Sequence, residues 1–258
     1  MNPSPQALAE ALAQCWRDGS RLDAAQWSIA DEAAAEAVHA QLAETLQWQP
    51  AGRPQFWKCG GSSRQGPFGH APLAPAGVRE GCDVTGLGLI GTEAEIALRL
   101  ARDVTPAQAR ALKLGEGDEL IDAFCVAIEG LASRWQQGMA ADPLLKHADC
   151  QSHGGLALGE WMPWTPARRA HDWAAQRCEL QINDDAPLLG TRDGLGGHGL
   201  DDPAWVLVPW LQAATRRGAT IAAGSVVTTG SWRVALHCKP GDVAVARFAG
   251  LGELRVQL

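Results

Sequence analysis

Residues 88–100 read GLIGTEAEIALRL. In an extended chain, side chains alternate between two faces. Glu93 and Glu95 then point the same way, with apolar residues around them. Two carboxylates on one buried face repel each other unless a cation lies between them. Hard oxygen ligands suit magnesium, manganese or calcium. A solvated strand face explains the same two residues, so the pair alone settles nothing.

The flanking sequence has the same grammar. From Gln55 onward, short apolar runs alternate with Gly- and Pro-rich stretches. Strands are expected at 55–59, 84–90, 93–101, 120–128, 154–158, 178–183, 225–229, 232–237, 243–249 and 252–257. Many strands with few helices between them predict an α/β fold with a β-rich mixed core. One helix is expected to start at Thr105-Pro106, a cap followed by proline. Another is expected from Asp202-Pro203 to just before Gly218, kinked or broken at Pro209. Arg216 and Arg217 would lie in its last turn, where the dipole favours cations. The stretch 62–81, SSRQGPFGHAPLAPAGVREG, is rich in Gly and Pro and reads as a mobile loop beside a site.

The first fifty residues read differently. Leu8, Leu12 and Trp16 recur at helical spacing within residues 5–17. A second helix is expected to open at Ser28, with Asp31 three residues on as in a capping box. It would run through Val38, Leu42 and Leu46. Gly52 and Pro54 close this part, giving a helical section over 1–54 and a catalytic β-rich domain over 55–258.

Composition excludes several roles. The formal net charge is -7, which gives no electrostatic support for nucleic-acid binding. No uncharged apolar run reaches membrane-spanning length. The seven cysteines form no CxxC and no zinc-finger spacing. The N-terminus lacks the basic start and apolar core of a secretory signal. Reduced thiols and a cytoplasmic location are expected. The chain has eleven Trp and no Tyr, so no tyrosine can act as acid or base.

Several further segments carry polar groups beside strands. FWKCGGSS (56–63) sets Lys58 at the end of an apolar run. AIEGLASR (127–134) sets Glu129 after FCVAI. HADCQSHGG (147–155) offers Asp149 and Ser152. The C-terminal part contains Thr229-Gly230-Ser231 and Pro240-Gly241-Asp242. In this order the segments resemble the fumarylacetoacetate hydrolase superfamily, in its 2-keto-4-pentenoate hydratase and 4-oxalocrotonate decarboxylase branch. The lysine motif of that branch appears as Trp57-Lys58-Cys59-Gly60-Gly61-Ser62-Ser63. Its G-x-E-x-E motif is Gly91-Thr92-Glu93-Ala94-Glu95. Its E-I-V-D-S-R motif is Glu129-Gly130-Leu131-Ala132-Ser133-Arg134. This chain departs from the pattern at Trp57, Ala132, Cys150 and His153.

The resemblance implies a strongly curved mixed sheet, rolled into a barrel-like core behind N-terminal helices. It implies Mg2+ or Mn2+ on Glu93, Glu95 and Glu129. Lys58, Asp149 and Ser152 would be catalytic. Ser62, Ser63, Arg134, Thr229, Gly230 and Ser231 would bind substrate. The implied activity is hydration of a 2-hydroxy-2,4-dienoate, a small 2-oxo acid substrate, to a 4-hydroxy-2-oxo acid through a metal-stabilised enolate. The setting would be aromatic-compound catabolism, in a homo-oligomer. Three alternatives stay open. One is decarboxylation of a 2-oxo-3-enedioate, with Arg64 or Arg134 taking the second carboxylate. Another is C–C hydrolysis of an acylpyruvate, with His70 and Glu80 activating water. The third is a non-catalytic partner of an active homologue.

Overall fold

The computed structural model describes residues 4–81, 89–189 and 197–258. Two helices come first, α1 (Pro5–Asp18) and α2 (Glu32–Thr45). Then follow β1 (Phe56–Gly60), β2 (Gly69–Pro72), β3 (Val78–Glu80), β4 (Gly91–Leu100), α3 (Pro106–Ala111) and β5 (Ile121–Leu131). The middle holds α4 (Pro143–Ala148), β6 (His153–Leu158), β7 (Met162–Pro163), α5 (Pro166–Arg169), β8 (Cys178–Ile182) and β9 (Leu188–Leu189). The chain ends with α6 (Leu207–Ala214), β10 (Val226–Thr228), β11 (Arg233–Leu236), β12 (Val243–Phe248) and β13 (Gly252–Gln257).

A nine-stranded mixed sheet runs β2-β1-β10-β4-β5-β6-β3, with β11 also pairing β4 and β7 pairing β5. A second sheet runs β13-β12-β8-β9. The spine is the antiparallel β4–β5 pair, in which Ala94 faces Ile128, Ile96 faces Val126 and Leu98 faces Phe124. Directly opposed residues share a face. These six side chains are buried and join Phe248, Ala246 and Val256 of the second sheet in the main core. Burying a side chain the size of Ile96 or Ile128 contributes about 1.5–3 kcal/mol relative to leaving it exposed. The opposite face of the same pair carries Glu93, Glu95 and Glu129. The curled mixed sheet behind N-terminal helices is the architecture the motifs implied.

α1 and α2 bury Leu8, Leu12, Val38 and Leu42 in a second core with Trp135, Leu145 and Ala148. This core joins residues on both sides of position 54. Among the described residues, no helix is long and apolar enough to cross a membrane.

Several local expectations need correction. Helix α2 is capped by Asp31, whose side chain accepts from Ala34 N–H, and not by Ser28. Segment 62–81 is not an unstructured loop, because it contains β2 and β3, and β2 pairs with β1 in register. Gly69-His70-Ala71-Pro72 shows no alternation, since its last three residues are all buried, so pairing with β1 and not a sequence pattern makes it a strand. After Pro203 the chain first forms a 3-10 turn over Pro203–Val206 and then α6. The break therefore precedes Pro209. That proline sits in the first turn of α6, where no N–H is needed. Arg216 and Arg217 lie beyond Ala214, so they flank the helix and are not in it. The strand expected at 84–90 lies almost wholly outside the described residues.

Candidate metal and active site

Register assembles the acidic cluster. Glu93 and Glu95 share a face of β4, and β5 places Glu129 directly opposite Glu93. β10 lies on the other side of β4 and pairs with β1, which sets Lys58 beside Thr228. One oxygen from each of the three glutamates lies within 4.8 Å of the others. Lys58 Nζ is 2.8 Å from Glu129 Oε1 and 3.9 Å from Glu93 Oε2.

Each carboxylate has a distinct environment. Glu129 is wholly buried. Its Oε1 accepts from Lys58 Nζ and lies 3.0 Å from His153 Nδ1. A carboxylate only accepts, so the His153 proton sits on Nδ1. Glu129 Oε2 is buried and has no hydrogen-bond partner. Burial alone would raise the Glu129 pKa, but Lys58 and His153 hold it down at about 2. Glu95 accepts at Oε2 from the Gly230 N–H at 2.9 Å. Burial, followed by repulsion from Glu129 and Glu93, pushes Glu95 up to about 8. Glu93 is raised by burial as well, offset in part by Lys58. Burial disfavours the Lys58 charge, yet the attraction of the three carboxylates more than offsets it, and its pKa is raised.

This donor set suits a hard divalent cation. The carboxylates crowd together, one oxygen is buried without a partner, and two glutamates, Glu93 and Glu95, resist ionisation without added positive charge. All three strains are relieved by a cation among them.

The cluster opens onto a cavity of about 580 Å³, lined by Lys58, Glu93, Glu95, Ser62, Gly230 and Ser231 among others. Sequence reading anticipated those six positions. Ser63 and Thr229 do not line the cavity, but Thr228 does. Thr229 is turned into the sheet, and its N–H and hydroxyl both donate to Ile96 O, at 3.1 and 3.0 Å.

Three other sequence candidates stand behind the cluster. Arg134 is buried and bonded to Asp149, with Nε 2.6 Å from Asp149 Oδ1. The Asp149 carboxylate also accepts from the Arg134 backbone N–H at 3.0 Å. Arg134 stacks over Trp16 of α1 at 4.3 Å. Ser152 is buried and lines a separate cavity of about 310 Å³. Arg64 donates to Leu200 O and stacks on Trp205. Neither arginine considered for a second carboxylate lines the acidic cavity. His70 sits on β2, 3.7 Å from Glu36, and lines a different cavity beside α2. The His70–Glu80 pairing weighed from sequence is not formed.

His153, weighed from sequence as a pocket-lining or structural residue, does not line the acidic cavity but bonds Glu129. One contributor escaped sequence reading as a site residue. His198 lines the acidic cavity, and its Nε2 lies 2.7 Å from Thr229 O. Its neighbours in sequence are glycines, and no motif marks it.

The pattern of the fumarylacetoacetate (FAA) hydrolase C-terminal family matches residues 29–258. No curated protein matches the sequence. Among solved structures, the fold is similar to 4-oxalocrotonate decarboxylase from Pseudomonas putida G7 complexed with magnesium and adipate. The identity is 19%, the TM-score 0.72, and the match covers 98% of this chain and 96% of that one. The same enzyme complexed with calcium and acetate matches at 18% identity and TM-score 0.68, covering 98% of this chain and 96% of that one. A 5-carboxymethyl-2-hydroxymuconate delta-isomerase from Mycobacterium smegmatis matches at 15% identity and TM-score 0.55, covering 81% of this chain and 77% of that one.

Proposed function

The chain belongs to the fumarylacetoacetate hydrolase family, and we propose that it is a metal-dependent, hydratase-like lyase acting on a 2-hydroxy-2,4-dienoate. The reading is carried by one observation: three carboxylates with oxygens within 4.8 Å, at the edge of a cavity that also holds a buried lysine. Glu93, Glu95 and Glu129 would hold Mg2+ or Mn2+. The relatives whose structures contain magnesium or calcium fit that choice. A divalent cation there polarises the C2 oxygen of a 2-oxo acid and eases loss or gain of a proton on the adjacent carbons.

The chain's own groups do the rest. Lys58 stays charged beside the carboxylates, so it serves as a cation for the substrate carboxylate and as a proton donor, not as a resting base. Ser62 and Ser231 supply hydroxyls along the cavity wall. The dienol moves its hydroxyl proton to C5, giving the 2-oxo-3-enoate. Water then adds across C3=C4, with oxygen bonding C4 and hydrogen C3, giving the 4-hydroxy-2-oxo acid.

A second reading is decarboxylation of a 2-oxo-3-enedioate. Arg233 favours it: this residue lines the cavity, and among the described residues no carboxylate pairs with it. Turnover of 2-hydroxypenta-2,4-dienoate, 2-oxohex-3-enedioate and an acylpyruvate with Mg2+ or Mn2+ separates the readings. The hydratase reading requires loss of the dienoate chromophore and a 4-hydroxy-2-oxo product. Release of CO2 from the diacid, with no dienoate turnover, would replace it by the second reading.

A further inference from the structure

The peptide joining Thr229 to Gly230 is gripped from two sides. Its carbonyl lies 2.7 Å from His198 Nε2, and its N–H donates to Glu95 Oε2 at 2.9 Å. A carbonyl oxygen has no hydrogen to give, so Nε2 carries the proton and donates. The peptide is trans, as are all those described. Its C=O and N–H therefore point to opposite sides. His198 and Glu95 hold one rigid plane from either side.

Gly60 packs its backbone against Gly230, but among the described residues these two hydrogen bonds are the ones that hold the peptide's own polar groups. Its rotation depends on ψ of Thr229 and φ of Gly230. The Thr229 N–H and hydroxyl bind Ile96 O, which anchors the residue but not the following peptide. Gly230 has φ +99°, a region that favours glycine and leaves the backbone free to turn. His198 itself is well fixed. It is 2% exposed, and its ring lies 5.1 Å from that of Trp232.

We propose that His198 is a positioning residue for Glu95, acting through the Thr229–Gly230 peptide. By holding the carbonyl, it aims the Gly230 N–H at Glu95 Oε2 and so sets the orientation in which that carboxylate meets a cation. The inference rests on reading Glu95 as a metal ligand. Outer partners of this kind orient ligands and change metal affinity by about 10–100-fold.

The test is calorimetric titration of the full chain with Mn2+, comparing wild type with His198→Leu and His198→Gln. Leucine cannot donate to Thr229 O, whereas the glutamine amide can. The expected result is binding roughly tenfold weaker in the leucine variant, with most of the loss recovered by glutamine. Equal affinity in a folded His198→Leu protein, or equal loss in both variants, would overturn the proposal. If His198→Leu does not fold, His198→Met, which also lacks a donor, replaces it. A wild type that binds no Mn2+ would remove the metal reading and this inference together. A wild type that binds, with an unaffected leucine variant, would remove only the role of His198.

Discussion

Lys58 Nζ donates to Glu129 Oε1 at 2.8 Å, and the same oxygen takes His153 Nδ1 at 3.0 Å. One oxygen of Glu129 is thus doubly occupied, while the other is buried and bare. The lysine holds Glu129 and faces the cavity at once.

Replacing Lys58 by Met separates these two tasks. Turnover is expected to fall by at least about 100-fold, since a charged proton donor is lost. Mn2+ affinity should hold or rise, because a like charge leaves the cation's surroundings. Steady-state kinetics and calorimetry read the two effects. A parallel loss of affinity would mean that Lys58 mainly braces Glu129.

In the metal-free protein the stability contributed by Glu95 should be lost as pH rises. Glu95 has a folded pKa of about 8 against an ordinary value of 4.5. Between those values the folded state keeps a proton that the unfolded state has released. Its contribution is complete below pH 4.5 and disappears as pH climbs through 8, at up to about 1.4 kcal/mol per pH unit. Urea unfolding in EDTA at pH 6 and pH 9 should show this decline as a falling difference between wild type and Glu95→Gln, a comparison that cancels the opposite drift from the buried His39, His70, His153 and His198.

Cation binding must displace that proton. Mn2+ affinity is therefore expected to rise about tenfold per pH unit up to about 8, then level off. Titrations in buffers of different ionisation enthalpy should detect about one proton released near neutral pH. No buffer dependence would place Glu95 already ionised.

Asp149→Ala should act on stability. The substitution strands a buried guanidinium and removes the acceptor for the Arg134 backbone N–H. A cost of about 3–5 kcal/mol is expected. The urea midpoint measures it. A variant of unchanged stability but lost turnover would return Asp149 to a direct catalytic role.

Gly230→Ala should impair binding and stability together. Its φ of +99° strains any other L-residue, and a Cβ there would meet Gly60 Cα at 3.4 Å. About 1–3 kcal/mol of stability should be lost, with weaker Mn2+ binding, because the N–H that holds Glu95 would shift.

The sequence by itself determined the β-rich architecture and the placing of Glu93 and Glu95 on one strand face. Alternation in GLIGTEAEIALRL is a local property, and it assigns Glu93 and Glu95 to one face whatever they pair with. The flanking apolar residues then leave one way to pack the strand. Glu129 and Lys58 were legible as motif positions, each at the end of an apolar run. Only the tertiary structure decided what surrounds them. Register between β4 and β5 set Glu129 opposite Glu93, and register is a relation between segments that neither contains. Asp149 and Arg134 each looked available to a substrate, until packing paired them behind the cluster. His198 comes from a glycine-rich segment far from β4 in sequence, and its link to Glu95 runs through a peptide group. Backbone groups are identical at every position, so no side-chain pattern could have announced it.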